Sequence, residues 1–237
     1  MKIKSVFFLA LLILMGCQQD PANLKLPSLI SDNMLLQQKA EIMIWGKASP
    51  GQKISVSASW KSSSQTKSGE NGKWSVMLST PDAGGPYTIK ISAKDTSITI
   101  NNVLIGEVWF CSGQSNMEMP LAGWPPVDTV MHSAKTIESA SIPEIRLFNV
   151  QKNISGVPLE ECTGRWEVSS PTSVKTFSAT AYFFGKKLYY KLHVPIGLIE
   201  SAWGGTPAES WISAGSLEKA GEFVTDINAI KESAPLL

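Results

Sequence analysis

Ser115 is the residue whose surroundings best suit it to chemistry. It lies in Gly113-Gln114-Ser115-Asn116-Met117, directly after the nearly continuous apolar run Val103 to Cys111. A serine hydroxyl attacks a carbonyl only when a base takes its proton and fixed donors receive the charge developing on oxygen. Donors of that kind are offered by a second stretch, Ile199-Glu200-Ser201-Ala202-Trp203-Gly204-Gly205-Thr206-Pro207. Gly204 and Gly205 would expose backbone N–H groups beside a helix start, where they need not reorient as charge appears. The chemistry this pairing suits is acyl transfer.

Both stretches also have a purely structural reading. Ser115-Asn116-Met117-Glu118 fits the S-x-x-E capping box, in which Ser and Glu only satisfy backbone donors. Pro120 disfavours a helical Met119, however, and leaves about one turn for such a cap to stabilise. At the second stretch Thr206, Pro207 and Glu209 read as N-cap, first and third helical positions, which assigns Glu209 to structure rather than to acid catalysis.

The elements that must position these residues follow from periodicity. Val103 to Cys111, Glu144 to Val150 and Val194 to Ile199 read as strands buried on both faces. Between the last two, Ala181, Phe184, Leu188 and Leu192 recur at helical spacing within Phe177 to Leu192, and Pro195 forbids continuation. The pattern is β-α-β, hence a parallel sheet whose ligands bind at the carboxyl ends of strands, where Gln114 to Asn116 stand. Earlier, Asn23 to Asn102 reads as all β. Ile54 to Ala58 and Tyr87 to Ile91 alternate with period two, and Pro50-Gly51, Asn71-Gly72 and Gly84-Gly85-Pro86 mark turns, Asn71-Gly72 as a type I′ hairpin. Trp45, Trp60 and Trp74 lie on or beside these strands, where core packing or stacking on a sugar are both open.

Composition excludes several classes. Among 237 residues, 21 Lys+Arg balance 20 Asp+Glu for a net charge of +1, and no basic run invites nucleic acid. Lys2 and Lys4 precede the apolar run Val6 to Met15, which is too short to span a membrane and suits a signal peptide. Leu14-Met15-Gly16-Cys17 resembles a bacterial lipobox, so residues 1–17 are expected to direct export, with lipid on the Cys17 thiol holding the protein to a membrane in the periplasm or at the cell surface. Cys111 and Cys162 could then pair as a disulfide or remain buried thiols.

"VLIGEVWFCSGQSNMEMPL" (Val103 to Leu121) together with "VPIGLIESAWGGTPAESWIS" (Val194 to Ser213) resembles the sialate O-acetylesterase family of SGNH-type carbohydrate esterases. "PGQKISVSASW" and "GENGKWSVMLSTPDAGGPYTIKIS" are similar to that family's N-terminal β-domain. The resemblance implies an all-β sandwich over residues 23–102 and, over 103–237, part of an α/β three-layer SGNH-type domain with a parallel sheet. It implies Ser115 as nucleophile, with its own N–H and that of Gly205, or secondarily Gly204, as oxyanion donors. Gln114 and Asn116 would contact an O-acetylated sialic acid or other acetylated glycan, with no cofactor or metal. The family's Asp-x-x-His pair and Gln-Gly-Glu-type motif are absent from these residues, and His132 and His193 both read as structural. The resemblance therefore implies a catalytic domain cut midway, with an exposed parallel-strand edge. The other class to carry is a noncatalytic lipoprotein that binds glycans or another subunit. Arg146 and Arg165, the two arginines available to a sialate carboxylate, read as structural.

The export reading predicts that Cys17→Ala moves the protein from the membrane fraction to the soluble fraction of fractionated cells. Unchanged fractionation would remove the lipobox assignment.

Overall fold

The computed structural model of this chain describes residues 23–155, 157–221 and 223–233. The expected signal peptide and Cys17 lie outside the described residues. The first part is built from short strands: β1 (Leu35–Gln37), β2 (Glu41–Lys47), β3 (Lys53–Ala58), β4 (Ser63–Lys67), β5 (Lys73–Ser79) and β6 (Gly84–Ala93). Their alternation is that of strands with one buried face. Ile54, Val56 and Ala58 of β3 and Trp74, Val76 and Leu78 of β5 are buried, while the residues between them face solvent. β3 pairs antiparallel with β4 and β6, and β2 pairs antiparallel with β5 as a separate ribbon. Inward side chains of β2, β3, β5 and β6 meet in one core.

The next strand is the longest. β7 (Thr96–Gly113) pairs antiparallel with β6 through Ile105, takes β1 in parallel along Leu104 to Gly106, and continues in parallel with a later strand. Beyond it come the one-turn α1 (Ser115–Glu118), α2 (Ser133–Glu138), β8 (Ile142–Asn149), β9 (Trp166–Ser169), α3 (Pro171–Lys175), α4 (Ala179–Leu192) and β10 (Ile196–Ala202). A 3-10 turn (Ala208–Trp211), α5 (Ala214–Ala220) and α6 (Val224–Ser233) follow. β10 inserts between β7 and β8, parallel to both, so one mixed eight-stranded sheet runs β4-β3-β6-β7-β10-β8-β9 with β1 also on β7. On one face of its parallel part, Cys111, Ile145, Leu147, Ile196 and Leu198 pack with Val174 of α3 and Ala181 and Tyr182 of α4.

Several sequence expectations are corrected. β7 runs across the boundary expected between Asn102 and Val103, and through it the strands of the first region share a sheet with the parallel strands. Asn71-Gly72 is not a type I′ turn, because only Gly72 has positive φ, +75°, and it joins strands of two different pairings. The helix expected from Phe177 starts at Ala179, where the Ser178 hydroxyl accepts from the Ala181 N–H at 3.1 Å and caps it. β8 is not an open parallel edge, since β9 pairs along it antiparallel. Apolar exposure falls instead on β7, where Trp109 and Phe110 are 41% and 65% exposed. Cys111 and Cys162 are both free thiols.

One side chain crosses between the two parts of the sheet. Arg146 of β8 is only 3% exposed and meets no carboxylate at hydrogen-bonding distance. Its Nε donates to Pro143 O at 2.9 Å, Nη1 to Asn33 O at 3.1 Å and Nη2 to Asn102 Oδ1 at 3.1 Å. Asn33 and Asn102 both have left-handed backbones, with φ of 66° and 56°, and the Asn102 amide donates to Asn33 Oδ1 at 2.7 Å. Removing the guanidinium would strand several buried acceptors. Arg146→Ala should lower unfolding free energy by about 3 kcal/mol or more, and Arg146→Lys should recover little of it because one ammonium cannot span the three sites. Urea unfolding of the three proteins checks this.

Candidate active site

The carboxyl ends of β7, β8 and β10 open onto one rim. β7 and β10 stay paired to Ala202↔Gly113, and one further bond, Trp203 N–H to Gly113 O at 2.9 Å, carries the pairing into both loops. The Ser115 and Gly204 loops are thereby forced side by side. Gly113, at φ 146°, makes the turn out of β7 in a conformation that side-chain-bearing residues rarely adopt.

Ser115 begins α1, and the structure overturns its capping-box reading. The cap is Gln114, whose Oε1 accepts from both the Ser115 N–H at 3.1 Å and the Ser115 hydroxyl at 2.9 Å. The helix stops after one turn, as Pro120 requires, with Met119 in extended geometry. Glu118 turns away from its own helix to accept the Gly204 N–H and pair with Lys152, which follows β8. Asn116 uses its carbonyl, which accepts from Thr180 Oγ1 at 2.8 Å and ties α1 to the start of α4.

Gly204 packs directly on the serine. A Cβ there would lie 3.3 Å from Ser115 Oγ and 2.6 Å from Glu118 Oε2, so a side chain at this position would displace the Glu118 carboxylate. Gly205 needs glycine for a different reason, its φ of +79°, and an added Cβ would meet nothing within 4 Å. With the Gly204 N–H given to Glu118, Gly205 is the member of the pair not committed to that carboxylate. The capping box expected at Thr206 does not form. Thr206 Oγ1 reaches back to Trp203 O at 2.6 Å and accepts from Trp211 Nε1 at 3.0 Å, while Pro207 precedes a single 3-10 turn.

Beside the serine loop is a cleft of about 300 Å³ lined by Glu118, Lys152, Trp124, Glu200 and Ala202. Three charged members of this cluster were missed from sequence: Glu118 had been read as a cap, and nothing local marks Lys152 or Glu200. Glu200 is buried in β10, and its Oε2 accepts from the Ser178 N–H at 3.3 Å. Burial, with Glu118 nearby, pushes the Glu200 carboxyl up to about 7, against the pull of the Ser178 N–H and Lys152. Burial also pushes the neighbouring Cys111 thiol up to about 11, with Glu200 adding to it. For Glu118 burial acts upward, but the Lys152 hydrogen bond and the Gly204 N–H outweigh it and the carboxyl titrates below its ordinary value.

Neither histidine lines this cleft, and the bond of Ser115 Oγ goes to Gln114. His193 caps the carboxyl end of α4, 14 residues and roughly 20 Å along the axis from the end that touches α1. His132 is exposed and holds a left-handed backbone before α2.

No protein-family model matches the chain. Sialate O-acetylesterases from Homo sapiens and Pongo abelii are each 31% identical to it over 233 residues, covering 89% of this chain. A solved carbohydrate acetylesterase from Xanthomonas citri superposes with a TM-score of 0.76 at 34% identity over 82% of this chain. Over most of its length the chain belongs to the sialate O-acetylesterase family. It spans 43% of the human and orangutan proteins and 44% of the Xanthomonas chain. Within that family framework, Glu118 and Glu200 are the carboxylates beside the Ser115 loop.

Glu200 sets a pH dependence of known sign. Its pKa is higher folded than unfolded, so its contribution to stability is present below about 4.5 and is lost as pH rises through about 7. The full effect is about 3 kcal/mol. Thermal unfolding should therefore show the protein less stable at pH 8 than at pH 5 by an amount that Glu200→Gln abolishes. An equal pH slope in the variant would show that Glu200 is not the group responsible.

Proposed function

We propose that this chain carries the nucleophile-bearing part of a carbohydrate O-acetylesterase acting on O-acetylated sialic acids or related acetylated glycans. The observation that supports it is the seating of Ser115 against the Gly204-Gly205 turn at the carboxyl ends of two paired parallel strands. Ser115 Oγ would attack the acetyl carbonyl while a base takes its proton. Its own N–H and that of Gly205, or secondarily Gly204, would hold the oxyanion. Collapse expels the sugar alcohol, and water then releases acetate from the acyl-serine. Gln114 Oε1 occupies both the Ser115 hydroxyl and its N–H, so it must release them for attack. It then stands, with Asn116, against the substrate.

The same reading organises the rest of the chain: residues 1–17 as a lipoprotein export signal ending in lipidated Cys17, 23–102 as a β-sandwich domain sharing β7, and 103–237 as part of the SGNH-type domain. Placement in the periplasm or at the cell surface follows from the anchor. Among the described residues no histidine hydrogen-bonds Ser115, and this favours a second reading, a noncatalytic lipoprotein that binds glycans or serves as scaffold.

Acetate release from O-acetylated sialic acid separates the two. With a C-terminal segment from a relative supplying an Asp-x-x-His pair, release should appear, and Ser115→Ala should lower it by about 10³-fold or more with folding intact. The 237-residue chain by itself should release acetate at background level, since base assistance is worth about 10² to 10⁴ in rate. Undiminished release in the Ser115→Ala protein would move the chemistry elsewhere.

A further inference from the structure

The outward face of the β2–β5 ribbon carries groups that the Ser115 site does not use. Its register places Met43 opposite Met77, Trp45 opposite Ser75 and Lys47 opposite Lys73. Inward-facing Ile44, Trp74, Val76 and Leu78 are buried, whereas Met43 and Met77 are each about half exposed. Trp45 packs against the core and fills part of a groove of about 470 Å³ on this face, with Met43, Lys47, Lys67, Lys73 and Glu160 around it. The groove has an apolar floor that includes Trp45 and Trp74, with the ammonium groups of Lys47, Lys67 and Lys73 and the carboxylates of Glu160 and Glu161 around it. Scattered apolar residues on a surface are ordinary, but grouped ones ringed by charge mark a binding face.

The groove already holds a carboxylate. Glu160, on the segment between β8 and β9, pairs with Lys73 and stands 3.8 Å from Lys47. The Lys73 hydrogen bond is the largest influence on Glu160 and, with both lysine charges, holds its carboxyl below its ordinary value. The next residue, Glu161, lines both this groove and a neighbouring cleft of about 380 Å³ that includes Lys152, Ala202 and Trp203. Lys152 and Ala202 in turn line the cleft beside Glu118. Neighbouring clefts from the Ser115 rim to Trp45 thus share lining residues.

We propose that the Met43–Trp45 groove binds a carboxylate-bearing sugar of an acidic glycan, with the sugar carboxylate replacing Glu160 between Lys47 and Lys73. The apolar C–H face of a pyranose would lie on the Trp45 ring, and its carboxylate would meet two ammonium groups already spaced to hold one. Only the choice of a sugar over other carboxylate-bearing rings rests on the esterase reading. Binding itself needs no chemistry at Ser115. Glu160 acts as an internal competitor, so the free groove is closed by its own chain and opens when a ligand supplies a better-placed anion.

Titration calorimetry of the purified chain with 3′-sialyllactose and trigalacturonic acid, with lactose as the neutral comparator, tests this. At least one acidic probe should bind and lactose should not. Trp45→Ala should weaken that binding about tenfold, and Lys73→Gln, at an exposed site, about three- to fivefold. Glu160→Gln should strengthen it about three- to fivefold by freeing both lysines. Neither acidic probe carries an O-acetyl group, so binding is read without turnover at Ser115, which keeps this test separate from failure of the esterase reading. Equal binding of lactose, no binding of either acidic probe, or unchanged affinity in both Trp45→Ala and Lys73→Gln proteins with native circular dichroism would each overturn the proposal. So would weaker binding in Glu160→Gln.

Discussion

A guanidinium taken out of water costs several kcal/mol unless its donors are met, and Arg146 meets its own without an acid. Backbone and amide oxygens of Asn33, Asn102 and Pro143 receive it beside the register shift in the β6–β7 pairing, a few residues before parallel pairing with β10 begins at Glu107. Asn102 sits there in a left-handed conformation, so the strand must bend. A bend inside an 18-residue strand would be a weak point if nothing fixed its angle. The planar fork of Arg146 fixes it from a strand two places away, with β10 between them. The parallel part of the sheet is thereby aligned on the antiparallel part, and with it the rim that carries Ser115.

The rim follows from that alignment. Parallel neighbours put their carboxyl ends on the same side, so Ser115 after β7, Lys152 after β8 and Gly204 after β10 converge although they are far apart in sequence. Glu118 joins all three loops, since it lies one turn from Ser115, accepts from Gly204 and pairs with Lys152. Such a carboxylate serves position: it holds the glycine turn against the serine.

Much of this was legible in sequence because the governing signals are local. The runs ending at Cys111 and Ile199, the helical stripe of α4, and the glycines after each strand placed Ser115 and Gly204 on one edge before any coordinates. Other features were hidden because they depend on pairing. Asn101-Asn102 looked like the end of a domain, and only the neighbours on each side make it the middle of a strand. β9 is four residues long and carries too little alternation to declare itself. The capping box expected at Thr206 does not form, and the one that spacing also allows at Ser115 does not either, because Thr206 finds Trp203 and Trp211, and Glu118 finds Gly204 and Lys152, at distances that sequence spacing does not encode. Glu200 sat unremarked in an apolar run, since only burial reveals a carboxyl with a raised pKa.

The order of the sheet has a consequence for biosynthesis. β7 and β8 never pair with each other, because β10, made last, stands between them. Roughly 90 residues separate Gly113 from the end of β10, which is about 5 to 20 seconds of translation at ordinary elongation rates. Through that interval the carboxyl half of β7, with Trp109 and Phe110, is held by its amino half alone. A chain in that condition offers an apolar strand without its parallel neighbour, so the parallel part of the sheet can close only once Ala202 has been made.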